Sequence, residues 1–292
     1  MAQRLQFLDP EKKLASADEA RVVVLPIPLE KTTSYLRGTA GGPEAIVQAS
    51  SQVEYYDPEL GLEPCQAGIY TDWEFGDPAW NNRPVEEILD RIRSKTRALL
   101  DAKKFVLGLG GEHTITVGLI DPYIERYGKE LTVVQIDAHA DLRNEYQGTP
   151  YSHASAMRRL LGRVPIVSIG IRSLDSEEAK VGKPPACHLF YAHEIRKNPK
   201  WIPDVLKAIK SPKVYLTVDV DGLDPSVLGS TGTPVPGGLG WYETLDLFRA
   251  VAEKHEIVGA DVNEFTPGLI PYCDYTAALL CYKIIGYAIC LR

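Results

Sequence analysis

Short apolar runs and longer segments with helical spacing alternate along this chain. The runs fall at residues 21–26 (RVVVLP), 105–109 (FVLGL), 131–136 (LTVVQI), 165–171 (PIVSIGI), 214–218 (VYLTV) and 257–262 (IVGADV). They are rich in valine and isoleucine and lack polar alternation, the signature of strands buried on both faces of a parallel sheet. Between them, residues 84–104, 155–162 and 244–255 carry apolar positions at helical spacing. Alternating strands and helices predict a three-layer α/β fold around a mostly parallel sheet. No low-complexity linker and no repeat at a period of about 20 to 50 residues breaks the pattern. The expectation is one domain across residues 1–292, with 1–20 an N-terminal extension. Loop-like stretches rich in Gly and Pro lie at 37–43, 144–152 and 224–240. In open parallel sheets ligands bind beyond the carboxyl ends of the strands, so residues there are the first candidates for chemistry.

Composition narrows the partners. At 45% apolar and 24% charged the chain is globular, and its length buries roughly three quarters of the extended surface without staples. Its 39 acidic and 32 basic side chains leave a formal charge of −7. Nucleic acid or an anionic membrane as main partner would ask for a clustered basic face, so a cationic or neutral ligand is favoured. Five cysteines, an odd count scattered singly, predict free thiols in a reducing compartment. The first twenty residues hold no signal-peptide core, and no window approaches about eighteen uninterrupted apolar residues. A soluble cytoplasmic protein is expected.

Charged residues cluster where the apolar runs end. QIDAHADLR places Asp137, His139 and Asp141 at i, i+2 and i+4, which on a strand puts all three on one face. VYLTVDVDGLDPS repeats the device with Asp219 and Asp221, and FVLGLGGEHTITVG delivers His113 at a turn into a helix. Carboxylates gathered at the ends of buried strands are costly unless a cation sits among them. Four aspartates and two histidines suit two divalent ions, manganese-like or magnesium-like rather than structural zinc. Such a pair can hold a bridging water, lower its pKa and present hydroxide to an electrophilic carbon. Taken alone, a DxHxD run also fits a solvated loop or a one-metal site, and His113 also fits a helix cap. GLGG lacks the GK[ST] that a phosphate cradle would need. Asp224, ahead of Pro225, reads as a turn former, and His188, His193 and His255 as surface or structural residues.

The motifs GGEHTIT, DAHADLR, TVDVDGLDPS with GTPVPGGL, and DVNEFTP occur in an order that resembles the arginase and agmatinase family of manganese ureohydrolases. SYLRGTAGGPEAI at residues 34–46 extends the resemblance over nearly the whole chain, and DAHADLRNEY and YSHASAMRR are most similar to bacterial and archaeal agmatinases. The resemblance implies two Mn2+ ions. His113, Asp137, Asp141 and Asp219 would bind one, and Asp137, His139, Asp219 and Asp221 the other, with Asp137 and Asp219 bridging. It also implies that Glu264 takes the substrate guanidinium and that His153 shuttles a proton, in an eight-stranded parallel α/β fold assembled as trimers or hexamers. Glu112 stands where many members have Asp, and Asn263 where an apolar residue is more usual.

Arginases read the amino acid end of arginine partly through an Asn/Thr/Ser-rich loop. Here the corresponding loop is LRNEYQGTPY at residues 142–151, with a carboxylate, Glu145. That loop suits an amine tail, so the expected substrate is agmatine, cleaved to urea and putrescine by hydroxide bridging the metals. Glu145, Tyr146 or Tyr151 would receive the distal ammonium. N1-aminopropylagmatine, guanidinobutyrate and arginine are the alternative guanidines. A binuclear metallophosphoesterase would need cations near the metals, where Arg143 and Arg172 are the nearest, and a non-catalytic family member would have lost a ligand or shuttle.

Overall fold

The computed structural model describes residues 5–8 and 15–291. Eight strands form one sheet: β1 (Val22–Ile27), β2 (Ile69–Thr71), β3 (Phe105–Gly110), β4 (Leu131–Ile136), β5 (Ile166–Ile171), β6 (Cys187–Tyr191), β7 (Lys213–Asp219) and β8 (Glu256–Asn263). Their order is β2-β1-β3-β8-β7-β4-β5-β6, and every pairing is parallel. Six strands coincide with the apolar runs to within about two residues. The two that do not are the edges: β2 has three residues, and β6 is partly exposed along most of its length.

Side chains alternate between two cores. Along β4, Val134 and Ile136 face one core and Leu131 and Val133 the other, as a pleated strand requires. The first core is covered by the helices Gly42–Ser50, Trp201–Ala208, Trp241–Lys254 and Cys273–Cys290, and the second by Val85–Asp101, Ile115–Tyr127 and Ala156–Leu160. This is the expected three-layer α/β domain. The helix expected at 244–255 begins earlier, at Trp241, because Glu243 reaches back to the Gly240 N–H at 2.8 Å and satisfies a first-turn donor.

The helix Cys273–Cys290 has the length and apolarity of a membrane span, yet 67% of it is buried. Midway along it Lys283 pairs with Asp57 at 2.8 Å and Glu59 at 2.9 Å. It is a core helix, apolar all round because neighbours surround it. Phe7 and Leu8, in the stretch expected to be an extension, join the first core. Their backbone N–H groups donate to Thr71 Oγ1 and Ser50 Oγ, each at 2.7 Å. Within that stretch, residues 1–4 and 9–14 lie outside the described residues.

Candidate metal centre

Four neighbouring strands, β3, β8, β7 and β4, bring the candidate residues together at their carboxyl ends. His113 follows β3, Glu264 follows β8, Asp219 ends β7 with Asp221 just beyond, and Asp137, His139 and Asp141 follow β4. Gly110 and Gly111 make the turn to His113 possible. A Cβ at Gly110 would meet Asn263 Oδ1 at 2.0 Å, and one at Gly111 would meet Leu29 O at 2.1 Å. Close approach, rather than a phosphate, explains the glycine pair.

Asp137, His139 and Asp141 do converge, but not by sharing the face of an extended strand. β4 ends at Ile136, His139 forms an isolated bridge with Ser173, and Asp141 has a left-handed φ of 52°. The chain turns its ligands inward after the strand. Glu264 is also left-handed, with φ 65°, held by its own N–H to Gly111 O at 2.7 Å and by the His113 N–H to its Oε1 at 2.7 Å. Two strained non-glycine residues, one beyond β4 and one beyond β8, meeting in one site are characteristic of functional sites.

His113 Nδ1 lies 2.9 Å from Asp141 Oδ2, 3.2 Å from Asp137 Oδ2 and 3.7 Å from Asp219 Oδ2. His139 Nδ1 lies 3.0 Å from Asp221 Oδ2 and 3.7 Å from Asp137 Oδ1. Asp137 therefore turns one oxygen toward each histidine. Hydrogen bonds orient the carboxylates: Gln135 donates to Asp137 Oδ2 at 2.7 Å, the Ala138 N–H to Asp221 Oδ1 at 3.0 Å, and the Asp221 N–H to Asp219 Oδ1 at 2.9 Å.

This donor set fits divalent cations. His113, Asp137 and Asp219 form one group, and Asp137, His139 and Asp221 another, with ligand atoms in each within 4.8 Å of one another. His113 Nδ1 is buried without a hydrogen-bond partner and faces three carboxylates, so its lone pair can be met only by a cation or a proton. The shifts point the same way. Burial and the charge of Asp137 push Asp141 up to about 7. Burial with the charges of Asp221, Asp137 and Glu264 pushes Asp219 well up. Burial opposes the charge on His139, but Asp137 and Asp221 raise it to about 11. Asp141 and Asp219 climb while His139 keeps its proton, and Asp137 is drawn down, against its burial, by the two histidines, the pattern of a site short of positive charge.

A cavity of about 260 Å³ opens over this cluster. Glu264, His153, Asp219, His139 and Asp141 line it, together with Tyr146, Arg143, Asp175 and Glu178. Burial first, then the charges of His113 and His139, push His153 down to about 4, so its ring is neutral near pH 7. It belongs to a short turn, His153–Ser155, rather than a flexible loop, and its ring stacks on Tyr146 at 5.4 Å between centroids. Burial and the charge of Glu112 raise Glu264, an environment that a bound guanidinium would offset.

Glu145, expected at the distal ammonium, is exposed and outside the cavity lining. A tight turn, closed by mutual Tyr146–Thr149 hydrogen bonds with Gln147 and Gly148 left-handed, directs Tyr146 inward and Glu145 out. Tyr151 packs against the second core instead. The lining also holds the acids Asp175 and Glu178, which no sequence motif marks. Their signal was position, just beyond the carboxyl end of β5. Arg172 is held by the carbonyls of Asp221, Val235 and Gly170, so it is structural. Asp224 is the expected turn former, accepting from Ser226, Gly237 and Gly238.

Comparison with known proteins places these observations. A sequence model of the Arginase family matches residues 20–290. The chain is 41% identical over 293 residues to a Synechocystis protein named N(1)-aminopropylagmatine ureohydrolase, covering 97% of this chain and 93% of that protein. It is 35% identical over 260 residues to a Bacillus cereus protein named agmatinase, covering 88% and 87%. The crystal structure of the agmatine ureohydrolase of Thermoplasma volcanium superimposes with a TM-score of 0.83 at 31% identity, covering 99% of this chain and 95% of that one. With the same sheet, the family's ligand motifs at the strand ends and a match across nearly its full length, this chain is a member of the arginase family of ureohydrolases.

Proposed function

We propose that this chain hydrolyses the guanidinium group of N1-aminopropylagmatine, releasing urea and spermidine. The tail assignment is carried by the greater similarity to the aminopropylagmatine ureohydrolase, 41% against 35% for the agmatinase. Agmatine, the substrate the loop sequence favours, is the second reading. Asp175 and Glu178 add carboxylates to the cavity lining, with Arg143 beside them at 3.8 and 3.7 Å, and support a cationic tail of either length.

Glu264 is assigned to the guanidinium, whose planar pair of N–H donors matches a carboxylate. Its Oε1 already accepts the His113 N–H, which fixes the carboxylate plane. Two divalent ions, manganese by donor chemistry, would be held by His113, Asp137, Asp141, Asp219, His139 and Asp221 and supply an activated water and Lewis-acid charge. His153, uncharged near pH 7, takes up a proton and delivers it to the departing amine. The reading includes a cytoplasmic homo-oligomer, trimer or hexamer, which sedimentation of the purified protein would measure.

The test is kcat/KM with N1-aminopropylagmatine, agmatine, guanidinobutyrate and arginine. The expected order places aminopropylagmatine first by about tenfold or more, since one additional ammonium contact is worth about 1–3 kcal/mol. A higher value for agmatine would replace the first reading with the second.

A further inference from the structure

Glu112 is fully buried, adjoins His113 and takes no part in the chemistry above. Its carboxylate accepts four hydrogen bonds. Oε2 takes the backbone N–H groups of Lys31 at 2.7 Å and Thr32 at 2.6 Å, and Oε1 takes the hydroxyls of Thr114 at 2.7 Å and Thr32 at 3.1 Å. A threonine hydroxyl has one proton, and that of Thr32 goes to Glu112. Its oxygen is left to accept, and it receives the backbone N–H of His153 at 3.1 Å. A continuous chain of hydrogen bonds thus joins the turn after β3, the segment at 31–32, and the turn that carries His153.

The other ties of that turn run to the loop after β4. The Arg143 N–H donates to Ala154 O at 3.2 Å, and the stacked Tyr146 ring sits three residues further along the same loop. These set the plane of the His153 ring against the loop at 142–151. They reach the centre from the β4 side, through Asp141, whose carbonyl accepts the Arg158 N–H at 3.0 Å. The bond from Thr32 reaches it from the β3 side, because Thr32 is clamped by its own N–H and hydroxyl to Glu112, one residue from His113. We propose that Thr32 and Glu112 are positioning residues for His153, forming a strut that sets how far the proton-carrying imidazole stands from the candidate metal centre. The role rests on the guanidine-hydrolysis reading, in which His153 must reach the leaving amine. The length of Glu112 serves the strut, since one carboxylate spans two backbone donors on one side and two hydroxyls on the other.

Valine at position 32 keeps the shape of threonine and removes both hydroxyl bonds, whereas serine keeps them. The experiment compares Thr32→Val and Thr32→Ser, manganese-loaded, by metal content, kcat, KM and hydrogen exchange of the His153 backbone amide. Displacing a proton carrier by about 1 Å costs on the order of a hundredfold in rate. Thr32→Val is therefore expected to lose about tenfold to a hundredfold in kcat with KM and metal content unchanged. Its His153 amide exchanges faster, and Thr32→Ser restores both. Wild-type kcat or wild-type exchange in Thr32→Val would overturn the strut, as would a fall in kcat that merely tracks metal loss. Absence of guanidine hydrolysis by the wild type would overturn the reading beneath it, a failure told apart because amide exchange is measured without turnover.

Discussion

The Nε2 atom of His113 lies 2.8 Å from the hydroxyl oxygen of Thr217, and this contact decides which ring nitrogen carries the proton. Thr217 donates its single proton to Asp261 Oδ1 at 2.6 Å, so its oxygen can only accept from His113. Asp261 is itself buried and also takes the Tyr215 hydroxyl at 2.6 Å and the Thr116 hydroxyl at 3.1 Å. The imidazole is thereby held with Nε2–H outward and a bare Nδ1 toward Asp137, Asp141 and Asp219, the tautomer a metal ligand needs.

Thr217→Val removes the acceptor and should weaken manganese binding by about tenfold to a hundredfold, as loss of an outer partner of a ligating histidine typically does. Thr217→Ser should retain it. Competition with a fluorescent chelator reads both values, and unchanged affinity in Thr217→Val would refute the tautomer argument.

Asp137 presents an oxygen to each histidine, whereas Asp221 contacts His139 alone. Asp137→Asn should therefore deplete both sites, to about one bound ion or fewer, and Asp219→Asn should do the same if it bridges as the family resemblance implies. Asp221→Asn should deplete chiefly one site. Elemental analysis after gel filtration measures the stoichiometry, and equal losses from all three variants would contradict the bridging assignment.

Away from the centre, burial tends to raise Glu59, yet hydrogen bonds from Lys283, Tyr287 and Arg249 bring it down to about 2. Above pH 4.5 the carboxylate is ionised in both states and its contribution to stability is complete. Between 4.5 and about 2 the unfolded chain protonates first, so the contribution is lost as the pH falls through this window. Glu59 is about a third exposed, so solvent screening discounts the shift, and Glu59→Gln should cost about 1 kcal/mol at pH 7, with the gap to wild type closing toward pH 2. Urea denaturation across that range tests it, and a gap independent of pH would rule out the charge as its source.

The six central strands are legible because burial on both faces leaves uninterrupted valine and isoleucine. The edge strands are not, since IYT and CHLFY carry no such run. The metal-centre residues could be read from ligand types recurring at strand ends, although the turn after β4, not strand periodicity, brings Asp141 round to His113. Asp175 and Glu178 escaped because their approach to the cavity depends on β5 lying beside β4 in the sheet. Spacing along the chain does not encode that neighbourhood. Glu145 was misassigned for a related reason, as a left-handed turn two residues later decides which side chains of its loop point inward.

The function proposed for this chain is guanidine cleavage at a pair of divalent ions. Stripping the purified protein with chelator, titrating manganese back and measuring urea from amine-tailed guanidines tests it most directly. The expected outcome is no urea from the stripped protein and release that saturates at two manganese ions per chain. A manganese-loaded protein that yields no urea from any guanidine, yet hydrolyses p-nitrophenyl phosphate, would contradict it.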